Sequence, residues 1–146
     1  PAAKVSVLSN ATQIHRDSVR RALLRVDNNI LKLDSAFDET VRRMNNPQNP
    51  AYTVRGIVGE MKRFEGQMIL QTMFLRGMCD GRPIDNTSEE EVSAWLKLVA
   101  EIRPRQVMVY SLDRDTPCRT LEKVSKEELQ AIAARVEALG IPCSVA

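Results

Sequence analysis

No apolar run in these 146 residues approaches the ~18 that cross a bilayer. No basic-then-apolar segment of the secretory kind opens the chain. Both absences point to a soluble, cytoplasmic protein with no membrane partner. An excess of one charge is missing too: 21 Lys and Arg stand against 19 Asp and Glu, a net +2, with the two signs interspersed. Nucleic-acid binding usually needs a concentrated basic face, so no nucleic-acid partner is expected. Cysteine is sparse, at Cys79, Cys118 and Cys143. None pairs as C-x-x-C or C-x-x-x-C, and an odd count argues against a disulfide framework, so all three are expected as plain thiols. The single histidine, His15, has no cysteine or second histidine nearby, so a ligand or base role is set aside. There is no P-loop, no Gly-x-Ser-x-Gly and no metal-spaced histidine pair. Neither a catalytic set nor a metal site belonging to this chain is expected.

What the chain does have is alternation. Val5 to Leu8, Ile30 to Leu33, Met68 to Leu75, Val107 to Leu112 and Ile141 to Ala146 read as strands. Helical spacing fills the intervals: residues 16 to 26, a stretch carrying Phe37, Val41 and Met44, a stretch from Val54 to Phe64 ended by Gly66, and two longer helices. Ser88 with Glu91, and Ser125 with Glu128, read as capping boxes opening the two long helices. The run Glu89-Glu90-Glu91 suits a helix N-terminus and needs no partner. Gly77 to Thr87 reads as a Gly-rich connection. Strands separated by helices run parallel with right-handed crossovers. The fold is therefore α/β, either doubly wound or part of a TIM-like (β/α) barrel. A full barrel needs about 250 residues, so this chain would form an incomplete one as a single domain, residues 1–146. In either fold ligands sit at the carboxyl ends of the strands. Polar residues collect at those ends: Ser9-Asn10, Asp34-Ser35, Arg76, and Ser111 with Asp113-Arg114.

Several of these have two readings. Asn10 is a turn residue bonding its own backbone, or a ligand contact. Lys32 points opposite to Leu31 and Leu33. Between two helix layers that would bury an unpaired ammonium. In a barrel lumen it would meet Asp34 or the carboxylate of a ligand, and at a sheet edge it would sit in solvent. Gln71 lies mid-strand among apolar neighbours and requires partners that a lumen ligand would supply. Ser35 reads as an N-cap, with Asp38 three residues on.

Taken in order, "SNAT" at 9–12, "LKLDS" at 31–35, "ILQTMFLRG" at 69–77 and "VYSLDR" at 109–114 resemble the carboxyl-side half of the radical S-adenosylmethionine (SAM) core barrel. The likeness is to the molybdenum-cofactor cyclase and glycyl-radical activating enzyme branches. It covers roughly residues 4 to 117, and residues 118–146 match only as a generic final βα unit. The resemblance implies a parent that reductively cleaves SAM, using a [4Fe-4S] cluster, to start radical chemistry. It implies cofactor contacts at Asn10, Lys32, Asp34, Gln71, Tyr110 and Asp113, with Lys32 and Asp34 near the SAM ribose and methionyl carboxylate. Ala11 stands where the family has glycine. The three-cysteine cluster loop and the Gly-Gly-Glu of the family are absent, so the chain reads as a carboxyl-side fragment, inactive alone and expected to hold neither cofactor by itself. The substrate would be a peptide, a protein or a small molecule. A non-catalytic α/β module that binds a ligand or partner is the alternative. A truncated barrel leaves its first and last strands as raw edges, so self-association through sheet edges is expected.

Overall fold

The computed structural model describes residues 3–45, 52–79, 81–112 and 121–146. Asp113 and Cys118 lie outside them. Five parallel strands carry the architecture: β1 (Ser6–Ser9), β2 (Asn28–Lys32), β3 (Ile69–Cys79), β5 (Gln106–Ser111) and β7 (Cys143–Val145). They lie side by side in chain order, β1-β2-β3-β5-β7. Between them run α1 (Asp17–Arg25), α2 (Asp38–Asn45), α3 (Val54–Lys62), α4 (Glu89–Ile102) and α5 (Lys126–Glu137). When each strand is added on the same side, right-handed crossovers put every helix on one face of the sheet. Doubly wound topology is thereby excluded, and an open segment of a barrel remains.

The alternation along the strands records this one-sidedness. Leu31, Leu70, Thr72, Phe74, Val107 and Val109 are buried toward the helices, against Val41, Val58, Met61, Trp95, Leu129 and Val136. Ile30, Lys32, Gln71, Met73, Met108 and Tyr110, which alternate with them, are only half-buried. Lys32 thus lies on the helix-free face, opposite Gln71 in the register, with Gln71 opposite Met108. Burial between two helix layers does not arise.

Two short strands go beyond the sequence pattern. Residues 77–87, which read as a connection, contain β4 (Arg82–Asp85), and β6 (Leu121–Lys123) follows β5. Both pair antiparallel with the outer end of β3, β4 from Arg76 to Cys79 and β6 from Leu75 to Gly77. A four-residue and a three-residue strand are too short to show a period of two. They form only because β3 runs eleven residues, past the end of its parallel neighbours. The expectation of three plain thiols also fails, since Cys79 at the tip of β3 is disulfide-bonded while Cys143 is a free thiol. Sequence spacing says nothing about which Cα atoms approach within bridging distance in space. Burial pushes the Cys143 thiol up to about 12.

Half of each capping box forms: the Ser88 and Ser125 hydroxyls accept the backbone N–H three residues on (3.2 Å in both), while the Glu91 and Glu128 carboxylates take other partners, Ser35 with Thr40 and Arg76. Their acidic neighbours do more than favour the macrodipole. Glu91 is buried and accepts the hydroxyls of Ser35 (2.6 Å) and Thr40 (2.7 Å). Glu89 takes Arg135 through both terminal nitrogens (2.9 Å each). Ser35 in turn is not an N-cap: α2 begins at Asp38, and the Ser35 hydroxyl accepts from Phe37 N (3.0 Å) in a tight turn. No helix among the described residues is long and apolar enough to cross a membrane.

Trp95 anchors α4 to the sheet. Its ring meets Phe74 edge-on, with centroids 5.2 Å apart at 86°. Its indole N–H donates to Thr72 Oγ1 (3.0 Å), and the Thr72 hydroxyl donates to the Leu33 carbonyl (2.6 Å). Thr72→Val keeps the volume but leaves the buried indole N–H and the carbonyl without this partner. Chemical denaturation of that variant is expected to show a loss of about 2 kcal/mol. Thr72→Ser, which retains the hydroxyl, is expected to lose less than half as much.

Candidate functional site

The carboxyl end of β2 explains why an acid follows the strand. The β2–β3 ladder closes with Leu33 N donating to Gln71 O (3.0 Å). The next donor on β3, Met73 N, goes to Asp34 Oδ1 (2.8 Å). Asp34 Oδ2 accepts Asn45 Nδ2 (3.0 Å) and lies 3.8 Å from Lys32 Nζ. The Asp34 side chain is fully buried, whereas that of Lys32 keeps 25% of its surface. A carboxylate taken out of water needs this many partners.

Asn86, on the segment after β4, locks the same corner. Its Nδ2 donates to Asp34 O (2.8 Å) and Met73 O (2.7 Å), and its Oδ1 accepts Leu75 N (2.9 Å). Ser111 performs the equivalent task at the end of β5, donating to Phe74 O (2.6 Å) and accepting Val124 N (2.8 Å). Side chains have replaced the ladder just where the parallel strands part.

Above this corner is a cavity of about 160 Å³ lined by Asn10, Thr12, Lys32, Leu33, Asp34, Val41, Asn45 and Tyr52. Asn10 serves its own turn: Oδ1 accepts Thr12 N (3.2 Å) and the Thr12 hydroxyl (2.9 Å). Ala11, between them, has φ 67°, the left-handed conformation that favours glycine. Lys32 faces Asp34 on one side and Tyr110 on the other. Burial pulls its ammonium down, but the Asp34 carboxylate and the Tyr110 hydroxyl outweigh that, and the net shift is upward. Lys32 therefore stands charged at neutral pH. Tyr52 is pushed up to about 12 by burial and by the nearby Asp34 and Asp38 carboxylates, so its hydroxyl is a neutral donor. Gln71 sits beside Lys32 in the register, and its buried Oε1 has no partner among the described residues.

Of the residues singled out from the sequence, the structure brings Asn10, Lys32 and Asp34 into one cavity. Tyr110 touches Lys32, and Gln71 adjoins it across the sheet. Asp113 lies outside the described residues. Thr12, Asn45, Tyr52 and Asn86 join the corner without a clear mark in the sequence. Tyr52 carries a faint one, as one of two tyrosines and outside any apolar stripe. Asn45 and Asn86 look like ordinary loop asparagines.

This architecture matches a domain of the pyruvate-formate lyase-activating enzyme from Bacteroides vulgatus, with a TM-score of 0.67 and 12% identity over 97% of this chain and 80% of that one. It matches a radical SAM methyltransferase from Sphaerobacter thermophilus equally well, at TM-score 0.67 and 16% identity over 97% of this chain and 39% of that one. The fold is that of a partial, open (β/α) barrel, which both of these proteins share. In sequence, the chain is 27% identical over 160 aligned residues to UPF0026 protein slr1464 of Synechocystis sp., covering 93% of this chain and 57% of that protein. It is 23% identical over 137 residues to GTPase Obg of Brachyspira hyodysenteriae, covering 92% of this chain and 19% of that protein. The chain thus spans little more than half of one curated relative and about a fifth of the other. No family model matches.

The cofactors of radical SAM enzymes fit this chain unequally. Among the described residues no group of three His, Cys, Asp or Glu is placed to hold a metal, so these residues do not fit a cluster. The cavity of about 160 Å³ is smaller than the roughly 300–1,000 Å³ of a whole small-molecule site. It holds the Lys32 ammonium, the Asp34 carboxylate beside it, and neutral hydroxyl and amide groups, and it is too small for the whole of SAM.

Two of the upward shifts in the molecule, at Lys32 and Tyr52, belong to this site, and that of Cys143 adds a loss of stability that starts lower, above about pH 8.5. In the fold Lys32 and Tyr52 both hold their protons to higher pH than in the unfolded chain, where Lys titrates near 10.4 and Tyr near 10. Their contribution is complete below about pH 10 and is lost as pH rises above it. Thermal melts are expected to show Tm insensitive to Lys32 and Tyr52 at neutral pH, with a fall above about pH 10 that Tyr52→Phe makes shallower. Tyrosinate absorbance of the native protein is expected to include a late phase near pH 12, which Tyr52→Phe abolishes.

Proposed function

We propose that this chain is the carboxyl-side part of the core barrel of a radical SAM enzyme of the activase or cofactor-cyclase type, an oxygen-sensitive cytoplasmic protein. One observation carries the reading: parallel strands in chain order, helices on one face only, and a charged lysine standing on the free face beside the strand ends. In this reading Lys32 holds the carboxylate of the SAM methionine, and Tyr52, Asn10 and Thr12 supply neutral polar contacts around it. Asp34 acts one step back. Its carboxylate orients and charges Lys32 while fastening β2 to β3, and Gln71 and Tyr110 support Lys32 from the neighbouring strands. Bound SAM, with the cluster held elsewhere in the parent, supplies the radical that begins the reaction. This chain's part is to place the amino-acid end of SAM. The substrate is a peptide, a protein or a small molecule.

The test uses the full-length parent, reconstituted anaerobically with iron and sulfide, reduced with dithionite and given SAM. Production of 5'-deoxyadenosine is expected, and Lys32→Ala is expected to raise the SAM KM by about tenfold to a hundredfold, the worth of a charge-assisted contact. Lys32→Arg should restore part of it. Asp34→Ala is a poor probe of binding, since it also releases Met73 N and Asn45. A folded, cluster-loaded parent that makes no deoxyadenosine would sink the enzyme reading and favour a non-catalytic ligand-binding module.

Self-association through sheet edges belongs to the same proposal. The edge strands are β1 and β7, and β1 carries Leu8 at 57% exposure on the helix-free face. Light scattering after size exclusion is expected to show a dimer or larger species whose mass falls on dilution. A clean monomer at high concentration refutes it.

A further inference from the structure

The outer end of β3 forms a small unit with its two antiparallel partners. Arg76 to Cys79 pair with β4, and Leu75 to Gly77 pair with β6. Leu75, Ile84 and Leu112 are buried there, with Met44 of α2 and Cys79 packed alongside, in a cluster separate from the main core. So small a cluster, under strands of four and three residues, holds little by itself. The Arg76 guanidinium grips both Glu128 oxygens (2.7 Å each), but that pair is partly exposed and screened by solvent. The remaining tie is covalent: Cys79, the last residue of β3, is disulfide-bonded.

Cys143 is a free thiol, which leaves Cys118 as the partner within the chain. Burial holds the Cys143 thiol up at about 12 and keeps it out of thiolate chemistry. Cys79 is half-buried at a strand tip and is not enclosed in the core. The unit it fastens is joined to the corner below the Lys32 cavity by two routes. Asn86, next after β4, bonds Asp34 O, Met73 O and Leu75 N. Arg43 of α2 donates to Pro83 O of β4 (3.0 Å), and Asn45, at the end of the same helix, donates to Asp34 Oδ2 (3.0 Å). A change of order at the tip therefore reaches the carboxylate that holds Lys32.

In a reducing compartment disulfides are rare, and those that form are mostly transient and redox-sensing. The inference rests on the cytoplasmic placement proposed above, where a permanent staple at this tip would be out of place. We propose that the Cys79 disulfide is a reversible redox switch, which fastens β4 and β6 to β3 when oxidised and loosens them, together with the Asn86 corner, when reduced. A small thiol such as glutathione supplies the electrons. One thiolate attacks the bridge and forms a mixed disulfide, and a second attacks that. The protein S–S bond ends as two cysteine thiols carrying the two protons, and the two glutathiones leave joined as their own disulfide. Oxidised glutathione drives the same exchange backwards.

The experiment moves the chain between glutathione buffers of defined ratio, then counts free thiols by alkylation in denaturant and follows backbone amides by hydrogen exchange. In the oxidised buffer only Cys143 is expected to be alkylated, and in a large excess of reduced glutathione all three cysteines, with full return on reoxidation. Reduction is expected to speed exchange in β4, in β6 and at the Leu75 amide that Asn86 holds by at least about tenfold, while α4 and β5 stay protected. Cys79→Ser is expected to show the fast pattern in both buffers, and Cys143→Ser to respond like the unaltered chain. A bridge that survives excess reduced glutathione is a permanent staple and overturns the switch. So do a bridge that never forms in the oxidised buffer, exchange in β4 and β6 that ignores reduction, and loss of protection throughout α4 and β5. None of these measurements needs SAM or a cluster, so their failure and the failure of deoxyadenosine production are separate results.

Discussion

The corner where β2 ends depends on one buried carboxylate. Asp34 takes over from the backbone ladder at the moment the strands diverge, giving Met73 N an acceptor that β2 no longer supplies. Without it a β3 amide would be stranded in the interior, at a cost of about 1–3 kcal/mol, and β3 would lose the tie that lets it run on alone. Because Asp34 is charged and fully enclosed, it needs compensation of its own. Asn45 provides a hydrogen bond and Lys32 provides charge. The lysine is therefore held at the strand end by the same group that holds the strands together, so the architecture of the site and the integrity of the sheet share one residue.

That arrangement separates two roles that look alike in sequence. Lys32 and Asp34 are both charged, two residues apart, and point to the same side of the chain. Only Lys32 keeps exposed surface, and only Lys32 has capacity left for a ligand. Asp34 has spent both oxygens on the protein. The long β3 makes the same point from its other side, where Asn86 and Ser111 tie loose backbone groups and β4 and β6 give its outer half new partners. The antiparallel extension is a consequence of β3 outlasting its neighbours.

One-sidedness governs what remains. A sheet covered by helices on one face alone presents the other as a half-buried surface of methionine, isoleucine, tyrosine and a few polar groups. In a closed barrel that surface is the lumen. Here it remains open, bounded by β1 and β7.

The local pattern determined the parallel strands, the helices between them, and the caps at Ser88 and Ser125, because periodicity and capping act over a few residues. It also marked Lys32 and Asp34, since a charge that interrupts an apolar strand must meet water, a partner or a ligand. Tertiary structure alone decided the rest. Glu91 bonding Ser35 and Thr40, Asn86 bridging Asp34 and Met73, and the disulfide at Cys79 all join residues brought together by the turns of the sheet. Asparagine in a loop reads the same whether it is solvated or buried. What it bonds is set by which carbonyls and amides the fold leaves unsatisfied beside it, and no spacing along the chain contains that information.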